Sequence, residues 1–268
     1  MEVFLIGLIV ALPALMWFFL WRVQDKEREP FHAMLWCFFL GVAASLPFFV
    51  LKQVGISVGN DSWQIFLFAF LEEIVKAIMV VIGIEISRHW FTQIVDGLIY
   101  GSAVALGFAF AENVFYLIDL VGSTSSLVTV YLVRSLDTML GHTLFTALFG
   151  FFYASAYLRK EIFPKKKKEK PWYHFFFNLW EALPLHVTLF HLLPNRPSKH
   201  GHYPGSLILE GILVASGLHG LFNLLHHKTF LGTSLGFLTV PLVSLVVYGI
   251  WRMFLQGVYV RVVRRVKG

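Results

Sequence analysis

Residues 63–84 read WQIFLFAFLEEIVKAIMVVIGI. As a helix rising 1.5 Å per residue this run is about 33 Å long, enough to cross a hydrocarbon core of about 30 Å. Yet Glu72, Glu73 and Lys76 stand at its middle. A charge near mid-bilayer costs at least about 2.5–3.5 kcal/mol, so such residues face a bundle interior or a wet cavity and mark function. The stretch therefore predicts a polytopic helical membrane protein with a polar interior.

The rest of the chain agrees. Of 268 residues, 57% are hydrophobic and 14% are charged, and Phe alone fills 28 positions. Mean hydropathy is +0.69. Soluble domains carry roughly 25% charged residues. A soluble fold exposes too much surface to hide this much apolar area, which argues against a soluble enzyme and excludes a nucleic-acid-binding or disordered chain. Cys37 is alone and lies in an apolar run, which leaves no intrachain disulfide or CxxC metal site.

Seven stretches suit transmembrane helices: Val3–Leu20, Phe31–Leu51, Trp63–Ile84, Gly97–Leu120, Leu127–Leu158, Ser206–His226 and Ser234–Trp251. The first lacks a basic leader and a small-residue cleavage site, so it reads as a retained helix. Trp172–Leu193 is an eighth possibility, but its Trp, Tyr, Phe, His and Pro content suits a segment lying at the interface. Basic residues arbitrate between the two counts. Seven spans with the N-terminus outside leave Lys52 and Lys228 on the outer side and put every other loop and tail base inside; eight spans spread them over both sides. The expected architecture is thus all-α: about seven spans, eight possible, in one membrane-embedded domain over 1–268. Core helices lie at about 63–158 and 206–226, and a cytoplasmic loop at 159–205 carries the interfacial segment and the Lys165–Lys168 run, which attracts anionic lipid. Within and beside that segment, His174, His186, His191, His200 and His202 are irregularly spaced and read as incidental.

Four spans carry ionisable residues in their interior. They hold Glu72, Glu73 and Lys76; Glu112; Arg134, Asp137 and His142; and Glu210 and His219. Counted from the span ends, Glu72, Glu73, Glu112, His142 and His219 share roughly one depth. Lys76 is i+4 from Glu72 and i+3 from Glu73, so it neutralises one carboxylate and leaves the other for chemistry. Asn223 follows His219 by one turn. Gly97, Gly101 and Ala105 form a small-residue ridge for close helix approach. Arg134 and Asp137, three apart, read as a structural ion pair.

There is no GxSxG or HExxH. Glu, His and Asn at one depth can hold a divalent metal with an open position for water. They can equally activate water directly, with Glu as base and His or Asn facing an oxyanion. The candidate catalytic set is Glu72, Glu73, Glu112, His142, His219 and Asn223. The candidate metal ligands within it are Glu73, Glu112, His142 and His219, with zinc the first choice of ion, and Lys76, Arg134 and Asp137 support the set.

Four pieces carry a resemblance: L-E-E-I-V-K at 71–76, D-G-L-I-Y-G-S-A-V-A-L-G-F-A-F-A-E-N-V-F-Y at 96–116, R-S-L-D-T-M-L-G-H at 134–142 and H-G-L-F-N at 219–223. In that order they resemble the PrsW family of intramembrane proteases, within the wider clan of CAAX prenyl proteases and bacteriocin-processing enzymes. The clan's paired Glu followed by a base matches Glu72, Glu73 and Lys76. Its Phe-x-x-x-His is here Phe108 to Glu112, and its His-x-x-x-Asn matches His219 and Asn223. The resemblance implies cleavage of a single-span membrane protein, such as an anti-sigma factor, on its extracytoplasmic side, in a bacterial inner membrane. It leaves the mechanism open between metal-dependent and glutamate-type. A proton-coupled transporter or a non-catalytic scaffold using the same carboxylates is the alternative; a transporter predicts an inverted repeat, and none is visible.

Overall fold

The computed structural model describes residues 2–24, 28–54, 61–119, 130–162, 204–227, 229–230 and 233–255. The fold is an all-α polytopic bundle. Its helices are α1 (Glu2–Gln24), α2 (Phe31–Gln53), α3 (Ser62–Ile86), α4 (Ile94–Asp119), α5 (Met139–Ile162), α6 (Pro204–His227) and α7 (Thr239–Leu255). A turn of helix at 130–133 and a π-helical turn, Arg134–Thr138, run directly into α5. Between α6 and α7 the two-residue strands Thr229–Phe230 and Thr233–Ser234 pair antiparallel. The segment Trp172–Leu193, the lysine run, the histidines from His174 to His202 and the basic tail beyond residue 255 lie outside the described residues.

Among the described residues, five helical stretches are long and apolar enough to cross a membrane: Phe4–Gln24, Phe31–Gln53, Ile94–Asp119, Val130–Leu158 and Leu207–His227. The sequence reading counted two more. α3 has the length, at 25 residues, but Glu72, Glu73 and Lys76 interrupt its apolar run. The apolar stretch of the last helix, Leu235–Trp251, is shorter than the five.

Why α4 and α5 lie at the centre follows from their side chains. Every residue from 94 to 109 and from 141 to 156 is buried. Both helices are apolar on all sides, which suits a helix surrounded by others. Their seam depends on glycine: a Cβ on Gly150 would run into the carbonyl oxygen of Gly97, and a Cβ on Gly101 would meet the backbone of Thr146. The predicted Gly97–Gly101 ridge is therefore the face that lets α5 approach. A second close seam joins α4 to α2, where Gly107 faces the Phe38 carbonyl and Gly41 faces that of Val104. Without a hydrophobic driving force between helices in lipid, such close backbone contact supplies much of the association. The outer faces of α1, α2, α3 and α7 expose large apolar side chains, among them Phe4, Leu12, Trp36, Val50 and Leu245, as contact with acyl chains requires.

At its first turn α4 is closed by its own acid. The backbone N–H groups of Thr92 and Gln93 both donate to Asp96 Oδ2 at 2.7 Å, satisfying donors that a helix start leaves orphaned. Nearby, Tyr100 donates to the buried Glu29 carboxylate just before α2.

Candidate functional site

Four helices deliver polar side chains to one place. Glu72, Glu73 and Lys76 come from α3, Glu112 from α4, His142 from α5 and His219 from α6. All border or underlie a cavity of about 610 Å³. Its walls come from the C-terminal halves of α2, α4 and α6 and the N-terminal halves of α3 and the π turn–α5 helix. The cavity therefore lies toward one end of the bundle.

The paired glutamates divide the work. Glu73 is fully enclosed and saturated. Its Oε1 is bonded to Lys76 Nζ and lies 2.9 Å from His219 Nδ1; its Oε2 accepts from Thr146 Oγ1 at 2.9 Å. Glu72 faces the cavity. Its buried Oε2 has no hydrogen-bond partner among the described residues, and the nearest cationic candidate, His219 Nε2, stands 3.7 Å away.

Each histidine is oriented by a carboxylate. Glu73 receives the Nδ1–H of His219, which turns His219 Nε2 toward Glu72. Glu112 Oε2 sits 3.1 Å from His142 Nε2. The two rings meet edge to face with centroids 4.7 Å apart. Phe145 stacks on His219 and Phe108 covers both His142 and Lys76. Lys76 Nζ also reaches His142 Nδ1 at 3.1 Å. Buried groups in such a network are costly when unpaired, so Lys76 is bound into the site from both sides.

Arg134 and Asp137 do not pair with each other as their spacing suggests. Arg134 Nη2 reaches Glu112 Oε2 at 2.9 Å and its Nε donates to Asn113 Oδ1 at 2.7 Å. Asp137 Oδ2 meets His226 Nε2 at 3.1 Å and accepts from Thr239 Oγ1 at 3.2 Å. The cause is the π turn. Bonding i to i+5 widens the helix, so residues three apart no longer stack, and the two side chains leave toward different neighbours. Asn223 lines the cavity one turn beyond His219. Sequence reasoning missed Thr146, Asn113 and Tyr116. Thr146 stands four residues after His142 and Asn113 directly follows Glu112, so helical spacing pointed to the first and adjacency to the second.

Glu72, His142 and His219 offer three ligand atoms that all lie within 4.8 Å of one another. Two imidazoles and one carboxylate form a donor set suited to a catalytic zinc with an open fourth position. The unpartnered Glu72 oxygen fits that use. Glu73, which the sequence reading placed among the ligands, here holds His219 Nδ1 and leaves Nε2 open, whereas His142 has Glu112 at Nε2 and Lys76 at Nδ1. His219 thus carries the carboxylate support that a metal-binding imidazole needs, and His142 would have to exchange one of its two partners to serve as a ligand.

Fold and site together define an integral membrane protein with a buried Glu/His centre. The model of the PrsW family intramembrane metalloprotease matches residues 29–193, and the chain belongs to that family. The match ends before α6, so His219 joins the site through the fold. The chain is 32% identical over 153 residues to Protease PrsW of Bacillus subtilis, covering 56% of this chain and 65% of that protein. It is 32% identical over 138 residues to Protease PrsW of Geobacillus kaustophilus, covering 50% and 58%. To Protease PrsW of Clostridioides difficile it is 26% identical over 183 residues, covering 65% and 72%. The chain thus spans less than two thirds of the length of the first two relatives. No solved structure matches it.

Proposed function

We propose that this chain is an intramembrane endopeptidase that hydrolyses a peptide bond of a membrane-anchored protein. The observation that carries this reading is Glu72: a cavity-facing carboxylate with a buried, unpartnered oxygen beside two carboxylate-oriented imidazoles. Family membership supports the same reading.

In the metal-dependent form, Glu72, His142 and His219 hold a single divalent ion, with zinc first by donor type. Bound there, the ion supplies Lewis acidity to the scissile carbonyl and to water. Glu73 and Glu112 keep the imidazoles in tautomer and orientation, and Lys76 neutralises Glu73 so that the two neighbouring acids are not both uncompensated. The Asn223 amide, on the cavity wall, faces the developing oxyanion.

A second reading has its own observation. Both ring nitrogens of His142 are already engaged, Nδ1 by Lys76 and Nε2 by Glu112. If His142 keeps those partners, Glu72 acts directly: it takes the proton of the attacking water and returns it to the leaving amine. Metal analysis of purified protein with a chelator-inhibition assay separates the two readings. Activity that disappears with the metal and returns with zinc fits the first; activity that survives complete metal removal fits the second.

With the N-terminus outside and the C-terminus cytoplasmic, as the basic residues favour, the cavity end of the bundle is extracytoplasmic. The substrate is then a single-span protein of the same bilayer cut near its outer side, and an anti-sigma factor of a bacterial inner membrane is one such protein. Co-expression with a single-span reporter tests this. The expected result is cleavage by the wild type and none by Glu72→Gln or His219→Ala, both still inserted. Unchanged cleavage by both variants contradicts it.

A further inference from the structure

The first helix reads as bland in the sequence, yet it touches the site's support. Trp17 of α1 donates from its indole Nε1 to the backbone oxygen of Ser135 at 3.1 Å, across 118 residues of sequence. Ser135 lies inside the π turn. A second bond from the same helix pair runs from Tyr131 Oη to the Ile9 oxygen at 3.2 Å. A π turn inside a helix is rare and needs support, and α1 supplies it from the side.

That turn aims Arg134. The guanidinium lies over the Tyr116 ring, 4.2 Å from its centroid. Its Nε is held by Asn113 Oδ1, while Asn113 Nδ2 returns a bond to the Arg134 oxygen at 3.4 Å. The planar fork, held by the Tyr116 ring and by Asn113 at Nε, sets Nη2 2.9 Å from Glu112 Oε2 as an ion pair, and the same Glu112 oxygen lies 3.1 Å from His142 Nε2.

We propose that Arg134 is a positioning residue that acts on the chemistry only through Glu112 and His142, and that Trp17 of α1 keeps it aimed by holding the π turn. The proposal rests on the assignment of His142 to the working site made above. An ordinary α-turn at this point would rotate Arg134 away from Glu112, so the irregularity in the helix has a use. α1 then belongs to the catalytic unit as a strut.

The test is a double-mutant cycle on the full-length protein in proteoliposomes, with wild type, Trp17→Phe, Arg134→Met, Arg134→Lys and the double Trp17→Phe/Arg134→Met variant. Two quantities are read: kcat and KM for a single-span reporter, and zinc affinity by competition with a chromophoric chelator. Loss of a group that orients a ligand typically costs about 10–100-fold. Arg134→Met should lower kcat and zinc affinity by that order with KM little changed, Arg134→Lys should recover part of it, and Trp17→Phe should lower both by a smaller factor. The double variant should be no worse than Arg134→Met alone, because both changes act on one chain of contacts. Additive losses would overturn the link from Trp17 to Arg134. A raised KM at unchanged kcat would make Arg134 a substrate contact and overturn its positioning role. A wild type that binds zinc but cleaves nothing would overturn the protease reading, while the zinc-affinity cycle would still decide this one.

Discussion

Glu73 Oε1 lies 2.9 Å from His219 Nδ1, deep in the bundle and shielded from the cavity that Glu72 faces. Two adjacent residues of one helix therefore play unlike parts. The carboxylate one position along is rotated by about 100°, so Glu73 points into the seam with α5 and α6 while Glu72 stays on the open side.

This division predicts unequal effects. Glu72→Gln should abolish cleavage. Glu73→Gln keeps the shape of the side chain but weakens its hold on His219, so kcat should fall by about 10–100-fold and not to zero. Steady-state kinetics on the two variants in one preparation checks the order. Equal residual rates would contradict it.

The Glu73–Lys76 pair is wholly buried, with exposures of 1% and 0%. Removing one partner of such a pair costs about 3–5 kcal/mol, whereas replacing both by uncharged groups costs far less. Lys76→Met should therefore lower Tm in detergent sharply, and Glu73→Gln/Lys76→Met should recover much of the loss without recovering activity. A double variant less stable than either single one would contradict the pairing.

The α4–α5 seam makes a prediction about glycines. Gly150→Ala puts a methyl group against the Gly97 carbonyl oxygen and should destabilise by about 1–3 kcal/mol, the usual cost of overpacking. Gly217 on α6 has nothing within 4 Å of an added Cβ. Gly217→Ala should stabilise by about 0.5–1 kcal/mol through helix propensity. Thermal unfolding of the two variants side by side measures both signs.

Asp137 and Arg134 should separate experimentally although they are three residues apart. Asp137 ties the π turn to His226 and Thr239, away from the two histidines. Asp137→Asn should lower Tm modestly and leave kcat within a few-fold of wild type, in contrast to Arg134→Met. A kcat loss as large as that of Arg134→Met would contradict the separation.

Much of this was legible because membrane burial makes polar residues conspicuous. Glu72, Glu73, His142 and His219 stood out as charges and imidazoles at one depth of apolar runs, and the Gly97–Gly101 ridge announced a close seam. What the sequence hid was rotational detail. Spacing says that Lys76 can reach either glutamate; only the packing of α5 and α6, which brings Thr146 and His219 to Glu73, decides which one it takes. The π turn was invisible because R-S-L-D-T-M carries no breaker, and a one-residue widening changes no propensity. It reversed the expected Arg134–Asp137 pairing. Trp17 escaped notice because an indole in an apolar helix is ordinary until a partner carbonyl is known.

The central claim is that cleavage depends on the cavity-facing carboxylate of Glu72, whether it holds a metal ion or takes the water's proton itself. It is tested most directly by purified protein in proteoliposomes with a single-span reporter, the products being identified by intact-mass spectrometry. Wild type should give two complementary fragments, cut toward the end of the span nearest the cavity, and a correctly folded Glu72→Gln variant should give none. Fragments of the same mass and amount from both proteins would contradict it.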